Sequence, residues 1–150
     1  MIIETIKLSE MSVFAELFLG ISIMYLIMHG LFISFNSSNG FPLLQSSLIN
    51  LGVLTLFMTC VLLWNDNLYA LKNVGFSNTI VNDYLSFSAK IIIGSSSMVC
   101  FIFIKQYLIT QKINSFEYII ILLFSILGLF LLCSSNDFIT TYLAMELQSL

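Results

Sequence analysis

Four apolar runs, each long enough to cross a lipid bilayer, constrain the fold of this 150-residue chain more than any other feature. An α-helix rises about 1.5 Å per residue, so about 20 residues cross a hydrocarbon core of about 30 Å. A fifth run keeps only 13 residues, 138–150, or about 20 Å of helix, which is too short to cross. The sequence therefore predicts an all-α integral membrane fold in one domain, residues 1–150, with four transmembrane helices and the first part of a fifth. The four complete runs cover about 12–35, 43–64, 84–107 and 116–134.

The composition agrees with a membrane location and excludes several functional classes. Hydrophobic residues make up 59% of the chain and charged residues 9%, whereas soluble domains are about half apolar and a quarter charged. The net charge is −3 and the five basic residues are scattered lysines, which argues against nucleic-acid binding. Three distant cysteines and a single histidine argue against a disulfide framework or a metal site. No phosphate-binding loop or nucleophile motif is found in the sequence.

The connectors are predicted from their polar composition. A turn is expected at 36–42, and 65–83 forms the longest connector, with a short interfacial helical turn at 68–72. The small segment Gly94–Ser97 permits the close approach of another helix. Lys90 and Lys105 lie near the two ends of the third span, where lysines snorkel to the interface.

Three ionisable side chains near the ends of the first and fourth spans are candidate accessory groups. Glu16 lies within about one turn of the start of its helix, and the simplest expectation is that it snorkels to the interface. His29 lies near the other end of that span, where a neutral, hydrogen-bonded imidazole is expected. Glu117 lies in the first turn of the fourth span, where the helix dipole favours an acid. A role in proton transfer stays open for all three.

Glu146 is the residue most strongly indicated for chemistry. It follows Asp137 by nine residues, which places it about 14 Å along the fifth helix and close to the bilayer midplane. An ionised carboxylate exposed to lipid at that depth costs at least a few kcal/mol. It must therefore be protonated, paired with a cation or set in a hydrated interior. Such acids often mark proton pathways, although a buried carboxylate that joins helices is the alternative. No lysine of this chain is expected at the same depth.

The last residues of the chain also resemble a known family. Tyr142-Leu-Ala-Met-Glu-Leu-Gln-Ser-Leu150, with Ser135–Thr141 before it, resembles the fourth and fifth helices of subunit 2 of mitochondrial NADH:ubiquinone oxidoreductase, respiratory complex I. Phe14–Phe18 resembles the family's Pro-Glu-Ile-Phe segment, with Ala15 in place of proline. Shorter agreements follow in order, at His29-Gly30, Asn82–Tyr84 and Phe116–Tyr118.

The resemblance implies a place in the proton-pumping membrane arm of complex I, in the mitochondrial inner membrane. This family of antiporter-like subunits holds no redox centre, and flavin and iron–sulfur clusters are expected elsewhere in the complex. By similarity, Glu146 is the glutamate of the fifth helix that interacts with a lysine on the broken seventh helix. Protons would then be relayed through that pair and a further lysine. Other membrane-arm subunits and lipids are the expected partners.

This sequence departs from the family because it stops within the fifth helix. The expectation is a subunit split between two polypeptides, in which a C-terminal fragment supplies the rest of helix five and the lysines. An incomplete sequence is the alternative. Two other functional classes compete with proton transfer: a structural membrane subunit that braces a larger assembly, and an independent small transporter.

Overall fold

The computed structural model describes residues 13–35, 41–67, 73–75, 79–111 and 116–149. Within these ranges the chain forms five α-helices and one two-stranded antiparallel β-ribbon. In chain order the elements are α1 (Phe14–Phe35), α2 (Phe41–Asn67), β1 (Asn73–Gly75), β2 (Ile80–Asn82), α3 (Tyr84–Gln111), α4 (Phe116–Ser134) and α5 (Phe138–Ser149).

Helices α1 to α4 are long and apolar enough to cross a membrane. Their apolar stretches contain 18 to 25 residues, with mean hydropathies between 1.7 and 2.3. Stretches of this length span about 27–38 Å as helix, enough for a hydrocarbon core of about 30 Å. The predicted all-α membrane fold is therefore confirmed. The stretches are Phe14–Phe32, Ser47–Asn65, Tyr84–Leu108 and Glu117–Ser134.

The helix ends differ from the predicted bounds mainly where polar residues continue a helix beyond its apolar run. Helix α2 covers Phe41–Asn67 rather than 43–64, and α3 extends to Gln111 rather than 107. Pro42 lies in the first turn of α2, where a proline costs no hydrogen bond because its missing N–H has no intrahelical partner. The predicted turn at 36–42 is therefore shortened by the start of α2, and 36–40 lie outside the described residues.

Helices α1 to α4 pack as a bundle in which α1 and α3 each contact both α2 and α4. Buried leucine, isoleucine and phenylalanine side chains fill the space between them. Large apolar side chains also cover the outside: Ile21, Tyr25 and Phe103 are each more than 60% exposed. An apolar exterior is suited to lipid, whose acyl chains are as apolar as leucine. The most deeply buried members of the core include Leu19, Ile23, Ile49, Leu56, Leu123 and Phe130.

Gly94 brings α3 into close contact with α2 and α4. A Cβ atom at this position would lie 2.6 Å from Cys60 Sγ and 3.4 Å from Phe130 Cζ. The hydroxyls of Ser95–Ser97 donate to carbonyls three residues earlier in their own helix. The predicted close helix approach at Gly94–Ser97 is thus confirmed at the glycine, while the serines satisfy their hydrogen bonds locally.

The β-ribbon lies at the end of the bundle where α1 and α3 begin and α2 and α4 end, called here the ribbon end. Strands β1 and β2 pair with Val74 opposite Val81. Ile80 forms an isolated antiparallel bridge with Ser135, and Asn136 N–H donates to the Thr79 carbonyl at 3.0 Å. The sequence assigned this region to a connector and did not predict the strands. The predicted interfacial turn at 68–72 lies outside the described residues.

Candidate functional site

Helix α5 begins with a local cap immediately after α4. Asp137 N–H donates to Thr140 Oγ1 at 3.3 Å, and this hydroxyl donates to the Asp137 carbonyl at 2.8 Å. Thr141 N–H donates to the same carbonyl at 3.0 Å. The Thr140 hydroxyl thus satisfies the Asp137 N–H, a donor that the start of a helix leaves without an intrahelical partner. The chain reverses direction between α4 and α5, and α5 runs back along α4.

Gly128 allows the backbone of α5 to lie directly against α4. A Cβ atom on Gly128 would lie 2.8 Å from Gln148 N and 3.0 Å from Ala144 O. Ala144, at 2% exposed, is the buried residue of α5. Helix α5 is thus attached along the side that carries Ala144 and the Gln148 backbone, and most of its other side chains are exposed.

Glu146 lies on the open side of α5. Its side chain is exposed, and its Oε1 accepts a hydrogen bond from the Tyr142 hydroxyl one turn earlier. Phe138, Leu143 and Met145 are exposed on the same helix, each by more than half. An ionised carboxylate on such a surface costs several kcal/mol if lipid covers it. The Glu146 face therefore requires a cation, a proton or a hydrated protein surface against it.

Lys90 and Glu16 form a buried ion pair. Lys90 Nζ contacts Glu16 Oε1 as a salt bridge and hydrogen bond, and it donates to Asn82 Oδ1 at 2.6 Å. Lys90 is 1% exposed and Glu16 is 4% exposed. The predictions that these two side chains snorkel to the interface are wrong, because each finds its counterion inside the bundle. Through Asn82, the last residue of β2, the ribbon also contacts the ion pair.

The hydrogen bonding of this pair is incomplete among the described residues. Glu16 Oε2 is buried and has no partner there. A lysine ammonium carries three donors, and Lys90 uses two of them, toward Glu16 and Asn82. A spare carboxylate acceptor thus lies on the same ion pair as a spare ammonium donor. Such buried polar atoms ordinarily find a partner, in many cases an ordered water.

The remaining ionisable candidates lie apart from this pair. The His29 ring is half-buried and lies 6.0 Å from the Tyr25 ring, centroid to centroid. His29 Nδ1 is buried without a partner in the described residues, so the predicted hydrogen bond is not present at this atom. Glu117 is exposed in the first turn of α4. Lys105 is half-buried and donates to Asn50 Oδ1 at 2.9 Å.

The structure does not bring the predicted site residues together. In the part of the chain that the structure describes, no hydrogen bond or ion pair joins any two of Glu16, His29, Glu117 and Glu146. Those same ranges contain no group of three histidine, cysteine or acidic side chains that could hold a metal ion. Two separate centres result. One is Glu146 with Tyr142, and the other is Glu16 with Lys90 and Asn82.

Lys90 and Asn82 are the site residues that the sequence reading missed. The sequence signal that could have indicated the ion pair is the depth of the two charged residues in the membrane. The first and third spans start on the same side of the membrane, and Glu16 and Lys90 lie within about one and two turns of those starts. Opposite charges at similar depth on two helices of one bundle indicate an ion pair, because either charge alone would be costly there.

Comparison with known proteins finds relatives over most of the chain. Chain 2 of the NADH-ubiquinone oxidoreductase of Arabidopsis thaliana is 31% identical over 146 residues, covering 93% of this chain and 28% of that protein. The corresponding chain 2 of Marchantia polymorpha is 28% identical over 143 residues, with the same two shares. Subunit N of the NADH-quinone oxidoreductase of Pelagibacter ubique is 35% identical over 136 residues, covering 90% of this chain and 27% of that protein. No protein-family model matches the chain.

The bundle of four apolar helices, with an ion pair inside it, defines a multi-span α-helical membrane protein. The sequence relatives define the class of protein more narrowly. The chain is a homologue of NADH-ubiquinone oxidoreductase chain 2 and of NADH-quinone oxidoreductase subunit N. The resemblance indicated by Tyr142–Leu150 is thereby confirmed. The chain spans less than a third of the length of these relatives.

Proposed function

We propose that this chain works in the proton-translocating membrane arm of an NADH:ubiquinone oxidoreductase, in the mitochondrial inner membrane, with Glu146 as a proton-relaying carboxylate. The observation that carries the proposal is the position of Glu146. It is exposed on the open side of α5, about 14 Å from Asp137 along the helix, in a homologue of oxidoreductase chain 2. No redox step is assigned to this chain, and flavin and iron–sulfur clusters are expected in other subunits.

The relay requires a charge that changes how strongly Glu146 holds a proton. A lysine about 4 Å away, at an effective dielectric constant of about 20, interacts with a carboxylate by about 4 kcal/mol. A lysine that moves or loses its charge would therefore shift Glu146 between its ionised and protonated forms. Tyr142, whose hydroxyl donates to Glu146 Oε1, would hold the carboxylate in one orientation while the proton arrives or leaves.

The lysine would come from residues beyond this chain's own helices. More than two thirds of the length of the relatives lies outside the matched segment. The predicted C-terminal fragment would supply the rest of helix five and the lysine that approaches Glu146. Other membrane-arm subunits and lipids would cover the remaining apolar surface of the bundle.

A structural bracing subunit is the second candidate. This alternative predicts that Glu146 makes only a local hydrogen bond, and the Tyr142 contact on the same helix is a bond of that kind. Under this alternative, the buried Glu16–Lys90 pair would serve only to link α1 to α3 across the bundle.

A structure of the assembled complex separates the two functions. The chain would be tagged, and the complex that copurifies with it would be determined in a lipid nanodisc. Proton relay predicts a lysine Nζ within about 4 Å of the Glu146 carboxylate, in a subunit of an NADH:ubiquinone oxidoreductase. A Glu146 that meets only hydroxyl groups or lipid in that complex supports bracing. A chain that copurifies with no oxidoreductase subunit contradicts the proton-relay function.

A further inference from the structure

We propose that Glu16, Lys90 and Asn82 form a second proton-exchanging site, in which Glu16 Oε2 binds an internal water molecule and receives a proton from it. The site lies at the ribbon end of the bundle, on different elements from Glu146. Glu16 is in the first turn of α1, Lys90 is in the second turn of α3, and Asn82 ends β2.

The water follows from the hydrogen-bond inventory of the ion pair. Glu16 Oε2 is a buried acceptor without a partner in the described residues, and Lys90 retains a third donor. A buried water typically makes about three hydrogen bonds to otherwise unsatisfied groups. One water placed between Oε2 and Nζ would accept from the ammonium and donate to the carboxylate. It would satisfy both atoms.

This water gives Glu16 a route for proton exchange. The water passes one of its protons to Oε2 and takes a proton from Lys90 Nζ in return, so an O–H bond of the water and an N–H bond of the ammonium break as the Oε2–H bond and a new water O–H bond form. The carboxyl group and the amine are then both neutral, and no buried charge is left without its partner. The return step reverses both transfers. The second carboxyl oxygen, Oε1, stays hydrogen-bonded to Lys90 throughout.

Few other ionisable groups compete for that proton. The described part of α2 between Ser47 and Asn65 contributes only Cys60 as an ionisable side chain. Helix α4 contributes Cys133, which is close enough to Lys90 to interact with its charge. The acids of α4 and α5, Glu117 and Glu146, make no contact with Glu16 within the described ranges.

The ribbon links the site to the end of the bundle. Asn82 accepts from Lys90 and thereby positions the ammonium between the ribbon and Glu16. The ribbon is itself joined to the end of α4 through Ile80 with Ser135 and through Thr79 with Asn136. Glu16 lies within about one turn of the start of α1, which places the site near the ribbon end of the bundle.

The inference rests on the proposed function in one respect, that the assembly moves protons.

The proton-exchanging site is tested on the assembled complex by infrared difference spectra recorded when NADH starts turnover. The informative variant is Glu16→Gln with Lys90→Gln, because removing only one charge would leave the other buried and unpaired. Asp83→Asn, which removes an exposed acid next to the site, is the control.

One carboxyl C=O band that shifts in D2O, assigned to Glu16, is expected in the wild type, in Asp83→Asn and in Glu146→Gln, and it is expected to be absent in the double variant. A separate band from Glu146 is expected to remain in the double variant and to be absent in Glu146→Gln. The band assigned to Glu16, if it persists in an assembled double variant, overturns the proposal. Because Glu146→Gln keeps the Glu16 band, failure of the Glu146 relay and failure of this site are distinguishable.

If the double variant does not assemble, a density map of the wild-type complex tests whether a water molecule occupies the site. Ordered water bonded to both Glu16 Oε2 and Lys90 Nζ supports the site. A protein side chain at Oε2, or no density there at a resolution that shows other buried waters, overturns it.

Discussion

Lys90 of α3 holds Glu16 of α1 in an ion pair inside the bundle, with both side chains at least 96% buried. The contact joins residues that are 74 positions apart in the chain, and Asn82 adds the ribbon to it. Buried charges are stable only with a partner, so three elements of the fold depend on one another at this point.

The first prediction concerns the two halves of this pair. Lys90→Gln should destabilise the protein by about 3–5 kcal/mol, since it leaves the Glu16 carboxylate buried without a counterion. Adding Glu16→Gln should recover most of that loss, because two amides can hydrogen-bond to each other and to Asn82. The unfolding temperature of the purified complex measures both. Losses that simply add in the double variant would contradict a coupled pair.

The second prediction concerns the contact of α4 with α5. Gly128→Ala should force the helices apart, because the new methyl group would meet backbone atoms of Ala144 and Gln148 at 3.0 Å or less. Overpacking of this kind costs about 1–3 kcal/mol. Gly52→Ala is the matched control, since its Cβ would lie 3.7 Å or more from side-chain atoms only. Equal unfolding temperatures for the two variants would show that α5 does not pack as described.

A third prediction uses the contact between Gly94 and Cys60. Gly94→Ala should destabilise the bundle by about 1–3 kcal/mol, because the added Cβ would lie 2.6 Å from Cys60 Sγ. Cys60→Ala removes that sulfur and should largely restore the unfolding temperature in the double variant. A double variant no more stable than Gly94→Ala alone would argue against this close approach of α2 and α3.

The fourth prediction concerns Tyr142. Tyr142→Phe removes the hydroxyl that donates to Glu146 Oε1. A hydrogen bond to a charged group contributes about 1.5–3 kcal/mol, so proton translocation should fall, though less than in Glu146→Gln. Tyr107→Phe, at another exposed tyrosine of the bundle, is the control. The measurement is the proton-translocation rate at equal NADH oxidation, and indistinguishable rates for the two variants would remove Tyr142 from the relay.

Much of the helical architecture could be predicted because hydropathy and capping residues act locally. The start of α3 at Tyr84 and both ends of α4, Phe116 and Ser134, agree with the sequence prediction. The extension of α2 to Asn67 was missed because hydropathy reports the lipid-exposed part of a helix. The ribbon was missed because Asn73–Gly75 and Ile80–Asn82 are too short for a periodic pattern to indicate strands.

The two ionisable centres differ in how far the sequence could reveal them. Glu146 stands out alone, since a carboxylate far along an apolar helix is unfavourable without a partner. Glu16 and Lys90 do not, because each lies near a helix start, where a snorkelling charge is the ordinary expectation. Only the folded bundle, in which Lys90 reaches both Glu16 and Asn82, turns these two expectations into one buried pair.

The most direct test of the account is the number of protons translocated per NADH oxidised by assembled complexes that carry Glu146→Gln, with Asp83→Asn as the charge-matched control. The account predicts that Glu146→Gln assembles and oxidises NADH but translocates fewer protons per NADH, because a glutamine amide cannot bind and release a proton at neutral pH. Asp83→Asn should retain the wild-type ratio. An unchanged ratio in an assembled Glu146→Gln complex would contradict the proton-relay role.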